Sequence, residues 1–191
     1  MDAIRSCYLT TVNKRVFYRV RFNYLNRFRY GAYPYEKITK TRTPLDRVYN
    51  YARQHNIPVK GHTLVWGSQC PAWIGGSRCE GTNLSASDLA DEIESWIRDY
   101  CTRYPDTRYL DVVNEATPGH APAGYAQKAF GNNWIMKSFQ LAKQYCPNST
   151  LILNDYNVLS WNTQEFIAMA KPVIAAGVVD AIGLQAHGLA D

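Results

Sequence analysis

The sequence predicts an α/β fold in which parallel strands alternate with helices. Over residues 44–191, short apolar runs rich in β-branched residues alternate four times with segments of helical periodicity, and a helix leads the series. No two-residue hairpin turn lies between these strands, so each connection passes through a helix and the strands run parallel. A doubly wound sheet, a barrel and a fragment of a barrel all satisfy this pattern.

The leading helix is predicted from a start signal and an apolar stripe. Thr43 can cap a helix that has Pro44 at its first position. Pro58 blocks any continuation of that helix, and the first strand, Val59 to Trp66, follows it. The apolar positions of the helix repeat at helical spacing: Leu45, Val48, Tyr49 and Ala52.

The second helix and strand are predicted in the same way. Ser85 followed by Asp88 marks a helix start. After a turn at residues 104–107, the β-branched run at 109–113 indicates a buried strand. One face of the helix collects the large apolar side chains Leu89, Ile93, Trp96, Ile97 and Tyr100.

The last two units follow a loop that contains three glycines and two prolines. A helix is predicted near residues 133–145 and a third strand at 151–156. Another helix opens at Thr163 and runs to about residue 176, where Gly177 ends it. Residues 178–184 are the fourth predicted strand.

The first 43 residues are set apart by their charge. They hold ten Lys and Arg against two acidic residues, for +8, whereas the remaining residues carry −3. Only a weak alternation over residues 18–24 is strand-like, so we expect an irregular, poorly ordered basic arm at 1–43 and a separate α/β domain at 44–191. A basic arm can bind nucleic acid, but this one has no recognised motif, and we predict no nucleic-acid partner.

Composition narrows the class of protein further. Aromatic residues make up 13% of the chain, which is typical of a globular protein with an aromatic-lined cleft and frequent in carbohydrate binders. No apolar run approaches the length of a membrane span, so no membrane partner is predicted. The start of the chain has no apolar core of signal-peptide length, so no signal peptide is visible.

Polar side chains stand at the carboxyl end of every predicted strand, and in a β/α barrel these ends meet at one open face that holds the active site. No Gly-rich phosphate loop follows the first strand, which argues against a nucleotide-binding fold. The polar and aromatic positions at these ends are His62, Trp66, Gln69, Asn114, Glu115, Asn154, Asp155, Tyr156, Asn157, Gln185 and His187.

Glu115 is the candidate catalytic residue. Apolar residues precede its carboxyl group at a strand end, so water solvates it poorly, which suits a general acid. The alternative is a carboxylate that merely ends a strand and meets solvent. His62 has two alternative interpretations: a core histidine, or a metal ligand together with His187. Metal sites usually contain more His or carboxylate ligands than these two residues, so we predict no metal and no cofactor.

Four motifs resemble, in order and spacing, those of glycoside hydrolase family 10, the retaining endo-β-1,4-xylanases built as (β/α)8 TIM barrels. They are Gly-His-Thr-Leu-Val-Trp-Gly-Ser-Gln at 61–69, Asp-Val-Val-Asn-Glu-Ala at 111–116, Asn-Asp-Tyr-Asn at 154–157 and Ile-Gly-Leu-Gln-Ala-His at 182–187. The resemblance covers about residues 44–191, which it implies are a partial catalytic domain. It implies a partial barrel with strands three to six, xylan or a xylo-oligosaccharide as substrate, and a secreted, monomeric enzyme.

The resemblance also implies roles for individual residues. Glu115 matches the general acid/base, and Asn114 matches the amide beside it. The other matches are substrate-binding residues: His62, Trp66 and Gln69 on the glycone side, Tyr156 on the aglycone side, and Gln185 and His187 beside the nucleophile and its sugar.

Three departures from the family pattern limit what this chain is expected to do. The family nucleophile, a Glu at the end of strand seven, has no counterpart before Asp191, and residues 1–43 lack the Glu-Asn pair and Lys of strand two. Gly67 stands where the family usually has a second His. We therefore expect these residues alone to be inactive on xylan. The alternatives are a non-catalytic carbohydrate-binding remnant and a basic nucleic-acid-binding arm on a structural domain.

The cysteines predict two disulfide bonds. Cys70 and Cys79 bracket the loop after the first strand, and Cys101 and Cys146 end successive helices, whose carboxyl ends are neighbours in a β/α barrel. Cys7 is left unpaired. None of the five cysteines has metal-ligand spacing, and free thiols are the alternative to the two bonds.

Overall fold

The computed structural model describes residues 7–12, 15–21, 43–76 and 78–186. These residues build one six-stranded sheet in which the strands follow one another in chain order. Every neighbouring pair from β2 to β6 is parallel, whereas β1 and β2 are antiparallel. The strands are β1 Cys7–Val12, β2 Arg15–Arg21, β3 Val59–Trp66, β4 Tyr109–Asn114, β5 Thr150–Tyr156 and β6 Ala181–Gln185.

Helices connect the parallel strands, and the consecutive parallel order is that of a partial (β/α)8 barrel, as the sequence predicts. Two short helices, in the loops after β3 and β4, were not predicted, and β6 begins three residues later than expected. The helices are α1 Thr43–Gln54, α2 Ala72–Gly75, α3 Ala86–Arg103, α4 Gly124–Phe130, α5 Trp134–Tyr145 and α6 Thr163–Ala175, with a 3₁₀ turn at Gly131–Asn133 between α4 and α5.

The predicted helix boundaries rest on the local chemistry expected of them. Ser85 Oγ accepts a hydrogen bond from the Asp88 backbone N at 3.1 Å, and the Asp88 carboxylate accepts one from the Ser85 backbone N at 3.3 Å. This reciprocal pair satisfies two backbone donors at the start of α3. Beyond the end of α6, Gly177 adopts a φ of 66°, which glycine reaches without a Cβ penalty.

The N-terminal segment corrects one expectation. Residues 7–12 and 15–21 form regular strands rather than an irregular arm, and β2 pairs in parallel with β3, from Tyr18 opposite Val59 to Arg21 opposite His62. This pairing gives partners to the backbone groups on one edge of β3, a long-range gain that weak local alternation does not reveal. Residues 22–42 lie outside the described residues, and the division of the chain at residue 43 stays a prediction.

The core lies between the sheet and the helices packed on it. β4 is buried almost throughout, and Leu89, Ile93 and Ile97 of the predicted apolar stripe of α3 are buried in the same hydrophobic core. A buried hydrogen-bonded cluster joins α1 to α3: the Tyr49 hydroxyl lies 2.5 Å from that of Tyr100 and 2.6 Å from Thr107 Oγ1. Burial raises the pKa of Tyr49 to about 12, and burial also raises the pKa of Tyr100 well above its usual value.

Both predicted disulfide bonds are confirmed. Cys70 and Cys79 are bonded with their Cα atoms 5.7 Å apart, and Cys101 and Cys146 are bonded with a Cα separation of 5.0 Å. The first closes the loop after β3, and the second ties α3 to the residue that follows α5. The side chain of Cys7 lies outside the described residues.

In the part of the chain that the structure describes, none of the helices combines the length and the apolar character needed to cross a membrane.

Candidate active site

Glu115 directly follows β4, at the carboxyl edge of the sheet. Its φ is 55°, in the left-handed region that a residue with a side chain seldom occupies. The backbone is held there from both sides: the Glu115 N donates to Asn154 O at 2.9 Å, and Glu115 O accepts from Ala121 N at 2.8 Å. Unusual backbone geometry of this kind persists only where neighbouring contacts impose it, and such positions cluster at active sites.

The carboxyl group of Glu115 receives a hydrogen bond on each oxygen. Trp66 Nε1 donates to Oε2 at 2.9 Å, and Gln185 Nε2 donates to Oε1 at 2.9 Å. Trp66 ends β3 and Gln185 ends β6, so side chains from strands on either side of β4 converge on one half-buried carboxyl group. The structure thus brings together three of the predicted site residues.

Asn114 is the buried centre of this polar cluster. Its Oδ1 accepts from Asn154 Nδ2 at 2.6 Å and from Gln185 Nε2 at 3.1 Å. Because Gln185 Nε2 also donates to the Glu115 carboxylate, the network fixes which end of the Asn114 amide is oxygen. Among the described residues, the buried Asn114 Nδ2 has no hydrogen-bond partner, so one donor of this amide is left unsatisfied at the site.

His62 is buried on β3 and is oriented by a charged partner. Its Nδ1 lies 2.8 Å from Asp111 Oδ2, and Lys60 Nζ lies 3.0 Å from Asp111 Oδ1. The His62 and Trp66 rings are 5.8 Å apart and tilted. Asp111 was not among the predicted site residues; the signal for it was a carboxylate inside an otherwise apolar strand.

Tyr156 is paired with a residue that the sequence analysis missed. Its ring stacks on that of His120, with centroids 3.7 Å apart and the planes 13° from parallel. His120 Nδ1 donates to Asp155 Oδ1 at 2.6 Å, and His120 Nε2 lies 3.0 Å from Asn162 Oδ1. Burial, together with the negative charges of Glu115 and Asp155, raises the pKa of the Tyr156 phenol. The only sequence signal for His120 was a histidine in a Gly- and Pro-rich loop after a strand.

The other positions singled out from the sequence are Gln69, His187 and Gly67. Gln69 is exposed beyond the end of β3, with a φ of 56°. His187 lies outside the described residues. At Gly67, the backbone N donates to Ala121 O at 2.9 Å, and an added Cβ would overlap the backbone of Ala121 and Pro122. The space of the expected second His is therefore taken by the loop after β4.

Within the described ranges, no group of three or more His, Cys, Asp or Glu side chains is arranged to hold a metal ion. The site contains instead the Glu115 carboxyl group with amide, imidazole and aromatic side chains around it, and the Asp111 and Asp155 carboxylates hold the two imidazoles. Such a set can exchange a proton at Glu115 and hydrogen-bond the hydroxyl groups of a ligand whose apolar faces rest on the rings.

Comparison with known proteins agrees with this arrangement. Residues 13–191 match the sequence profile of Glycosyl hydrolase family 10. The chain belongs to this family. The family 10 chain is 58% identical over 164 residues to Endo-1,4-beta-xylanase B of Cellvibrio japonicus, an alignment that covers 86% of this chain and 26% of that protein.

Solved structures of the family superpose on most of the chain. An endo-1,4-beta-xylanase from Caldicellulosiruptor owensensis matches with a TM-score of 0.66 and 31% identity, over 75% of this chain and 45% of that one. A mutant protein in complex with xylotriose matches with a TM-score of 0.67 and 28% identity, over 76% of this chain and 46% of that one. The family 10 chain thus spans about a quarter of the Cellvibrio protein and under half of each of these structures.

Proposed function

We propose that this chain is part of a retaining endo-β-1,4-xylanase in which Glu115 is the general acid/base. The observation that carries the proposal is the Glu115 carboxyl group, held at the carboxyl edge of the sheet by Trp66 Nε1 and Gln185 Nε2 at 2.9 Å each. Two donors fix the position of the carboxyl group, and a proton donor must be fixed relative to the glycosidic oxygen that it protonates. In the second step the same carboxylate takes a proton from water.

The surrounding side chains fit a xylo-oligosaccharide. The Asn114 amide, whose Nδ2 has no partner among the described residues, is suited to a sugar hydroxyl, and His62 and Trp66 offer an imidazole and an indole on the glycone side. The Tyr156 ring, held flat against His120, offers an apolar face on the aglycone side. The names of the relatives and the xylotriose complex among the similar structures support this class of ligand.

Gln185 is assigned a positioning role because it donates both to Glu115 and to Asn114. By resemblance we also propose Gln69 on the glycone side and His187 beside the sugar that the nucleophile attacks. Retaining hydrolysis needs a second carboxyl group about 5 Å from the first. The family motifs matched here supply only Glu115, so we propose that residues 1–191 alone hydrolyse xylan very slowly.

We also propose that the protein works in an oxidising compartment as a secreted monomer. The disulfide bonds Cys70–Cys79 and Cys101–Cys146 support this, since such bonds persist outside the reducing cytosol.

The test is a comparison of two substrates in a longer version of the protein that carries both carboxyl groups. Glu115→Gln should abolish turnover of xylan but spare the first step on aryl xylosides with good leaving groups, which need no protonation. Azide should restore the second step, because an anion needs no general base. Glu165→Gln, which changes an exposed carboxylate on α6, is the control and should change neither rate.

Two results would contradict the proposal. Equal loss of the first step on both substrates would remove the role of Glu115 as proton donor. Release of reducing sugar by residues 1–191 well above their Glu115→Gln variant would show that these residues do not lack a second catalytic group.

A further inference from the structure

The loop between β5 and α6 presents an exposed indole. Trp161 is 78% exposed, the highest value among the large apolar side chains of the described residues, and Leu159 on the same loop is 63% exposed. The neighbouring Val158 is buried and anchors the loop from beneath. An exposed tryptophan has a large apolar face and a hydrogen-bond donor, both open to a ligand.

Hydrogen bonds within the loop fix its shape. The backbone N atoms of Ser160 and Asn162 both donate to Asn157 O, at 3.1 and 3.2 Å. Thr163 Oγ1 donates to Val158 O at 2.6 Å and lies 3.1 Å from Ser160 O. Trp161 therefore projects from a closed turn, and its backbone loses little conformational entropy when a ligand binds.

This turn is connected to the proposed catalytic centre through a row of contacts. Asn162, next to Trp161, lies with its Oδ1 3.0 Å from His120 Nε2, and His120 stacks on Tyr156 at 3.7 Å. Tyr156 in turn is close enough to Glu115 for that carboxylate to act on its pKa. Trp161 is thus the sequence neighbour of the residue that ends this row of contacts, which runs from Glu115 past Tyr156 and His120 to Asn162, on the side proposed for the aglycone.

We propose that Trp161 is a second sugar-stacking surface, which binds a xylose ring of a long xylo-oligosaccharide beyond the ring that rests on Tyr156. His120 is the positioning residue that joins the two surfaces, since it contacts both the Tyr156 ring and the Asn162 side chain. A rigid aromatic side chain gives contact area at low entropic cost, which suits a repeating ligand with flat apolar faces. This inference rests on the proposed function.

The experiment is isothermal titration of residues 1–191 with xylotriose and with xylohexaose. The unmodified protein should bind xylohexaose more tightly than xylotriose. Trp161→Ala should weaken xylohexaose binding by about tenfold, the size of effect typical of a lost aromatic anchor, and leave xylotriose binding unchanged. Trp161→Phe should retain most of the affinity for xylohexaose. Leu159→Ala, which truncates another exposed side chain on the same turn, is the matched control and should alter neither affinity.

The outcomes separate this inference from the proposed function. If the unmodified protein binds both sugars and Trp161→Ala matches Leu159→Ala on both, Trp161 is not a binding surface and the proposed function stands. Equal weakening of both sugars by Trp161→Ala also overturns the inference, because the change then acts on the whole cleft. If the unmodified protein binds neither sugar, the proposed ligand is wrong and the inference falls with it. Since Trp161 is exposed, its truncation opens no cavity, and circular dichroism checks that each variant is folded.

Discussion

Replacing Asp155 by Asn tests how the site is built. The Asp155 carboxylate is fully buried on β5 and accepts four hydrogen bonds. Its Oδ2 accepts from the Thr117 backbone N at 3.0 Å and from Thr117 Oγ1 at 2.6 Å. Its Oδ1 accepts from His120 Nδ1 at 2.6 Å and from the Tyr156 backbone N at 2.9 Å. The carboxylate therefore holds the loop after β4 against the end of β5.

The expected decrease in the free energy of unfolding of Asp155→Asn follows from these four hydrogen bonds. In either orientation, the amide group introduced by Asp155→Asn would point its NH₂ at a backbone N–H, that of Thr117 or that of Tyr156. The orphaned donor costs about 1–3 kcal/mol, and the remaining bonds, no longer to a charged group, weaken by about 1 kcal/mol each. The sum is about 3–5 kcal/mol, the range found when one partner of a buried charged pair is removed. This decrease is a large part of the free energy of unfolding of a typical domain, which is about 5–15 kcal/mol.

The assay is urea unfolding followed by circular dichroism. The free energies of unfolding are compared between proteins whose dependence on urea concentration has the same slope. Asp180→Asn is the matched control: this partly exposed carboxylate lies 2.9 Å from Lys143 Nζ and accepts from Leu151 N at 2.9 Å. Asp180→Asn should lower the free energy of unfolding by about 1 kcal/mol, as expected for a surface ion pair. A loss below about 1 kcal/mol for Asp155→Asn, or one no larger than that of the control, would refute the account of the carboxylate as a buried connection between the loop after β4 and the end of β5.

Three further predictions concern stability. Gly67→Ala should destabilise the protein by about 1–3 kcal/mol, because the new Cβ overlaps the backbone of the loop after β4. Thermal unfolding measures this effect, and an unchanged midpoint would mean that the loop moves aside at no cost in stability. Replacing Cys101 and Cys146 together by Ser should lower the free energy of unfolding by about 2–5 kcal/mol in urea, and a double variant as stable as the oxidised parent would contradict a stabilising bond. Stability should also fall in alkali. The folded-state pKa of Tyr49 is raised to about 12, and that of Tyr100 is also raised. The contribution of these neutral phenols to folding stability is therefore complete below the ordinary tyrosine pKa of about 10 and is lost as the pH rises through about 12. A thermal unfolding midpoint that stays level over this pH interval would contradict the buried tyrosine cluster.

Elements whose causes are local were predictable from the amino-acid sequence. Hydrophobic periodicity placed β3 at residues 59–66, because a buried strand flanked by Pro58 and Gly67 carries its own signal. The capping pair at Ser85 and Asp88 and the left-handed Gly177 follow from chemistry within a few residues of each helix end. The alternation of strands and helices predicted a parallel sheet, and the polar residues at the strand ends predicted the edge where Trp66, Glu115 and Gln185 meet.

The tertiary structure alone decided the contacts between segments that are distant in the chain. The pairing of β2 with β3 depends on free backbone groups at a sheet edge, which weak alternation in residues 15–21 does not encode. The stack of His120 on Tyr156 joins loops after two different strands, and no periodicity links a loop residue to its partner. The left-handed backbone of Glu115 is imposed by hydrogen bonds with Asn154 and Ala121, so it exists only once those neighbours are in place.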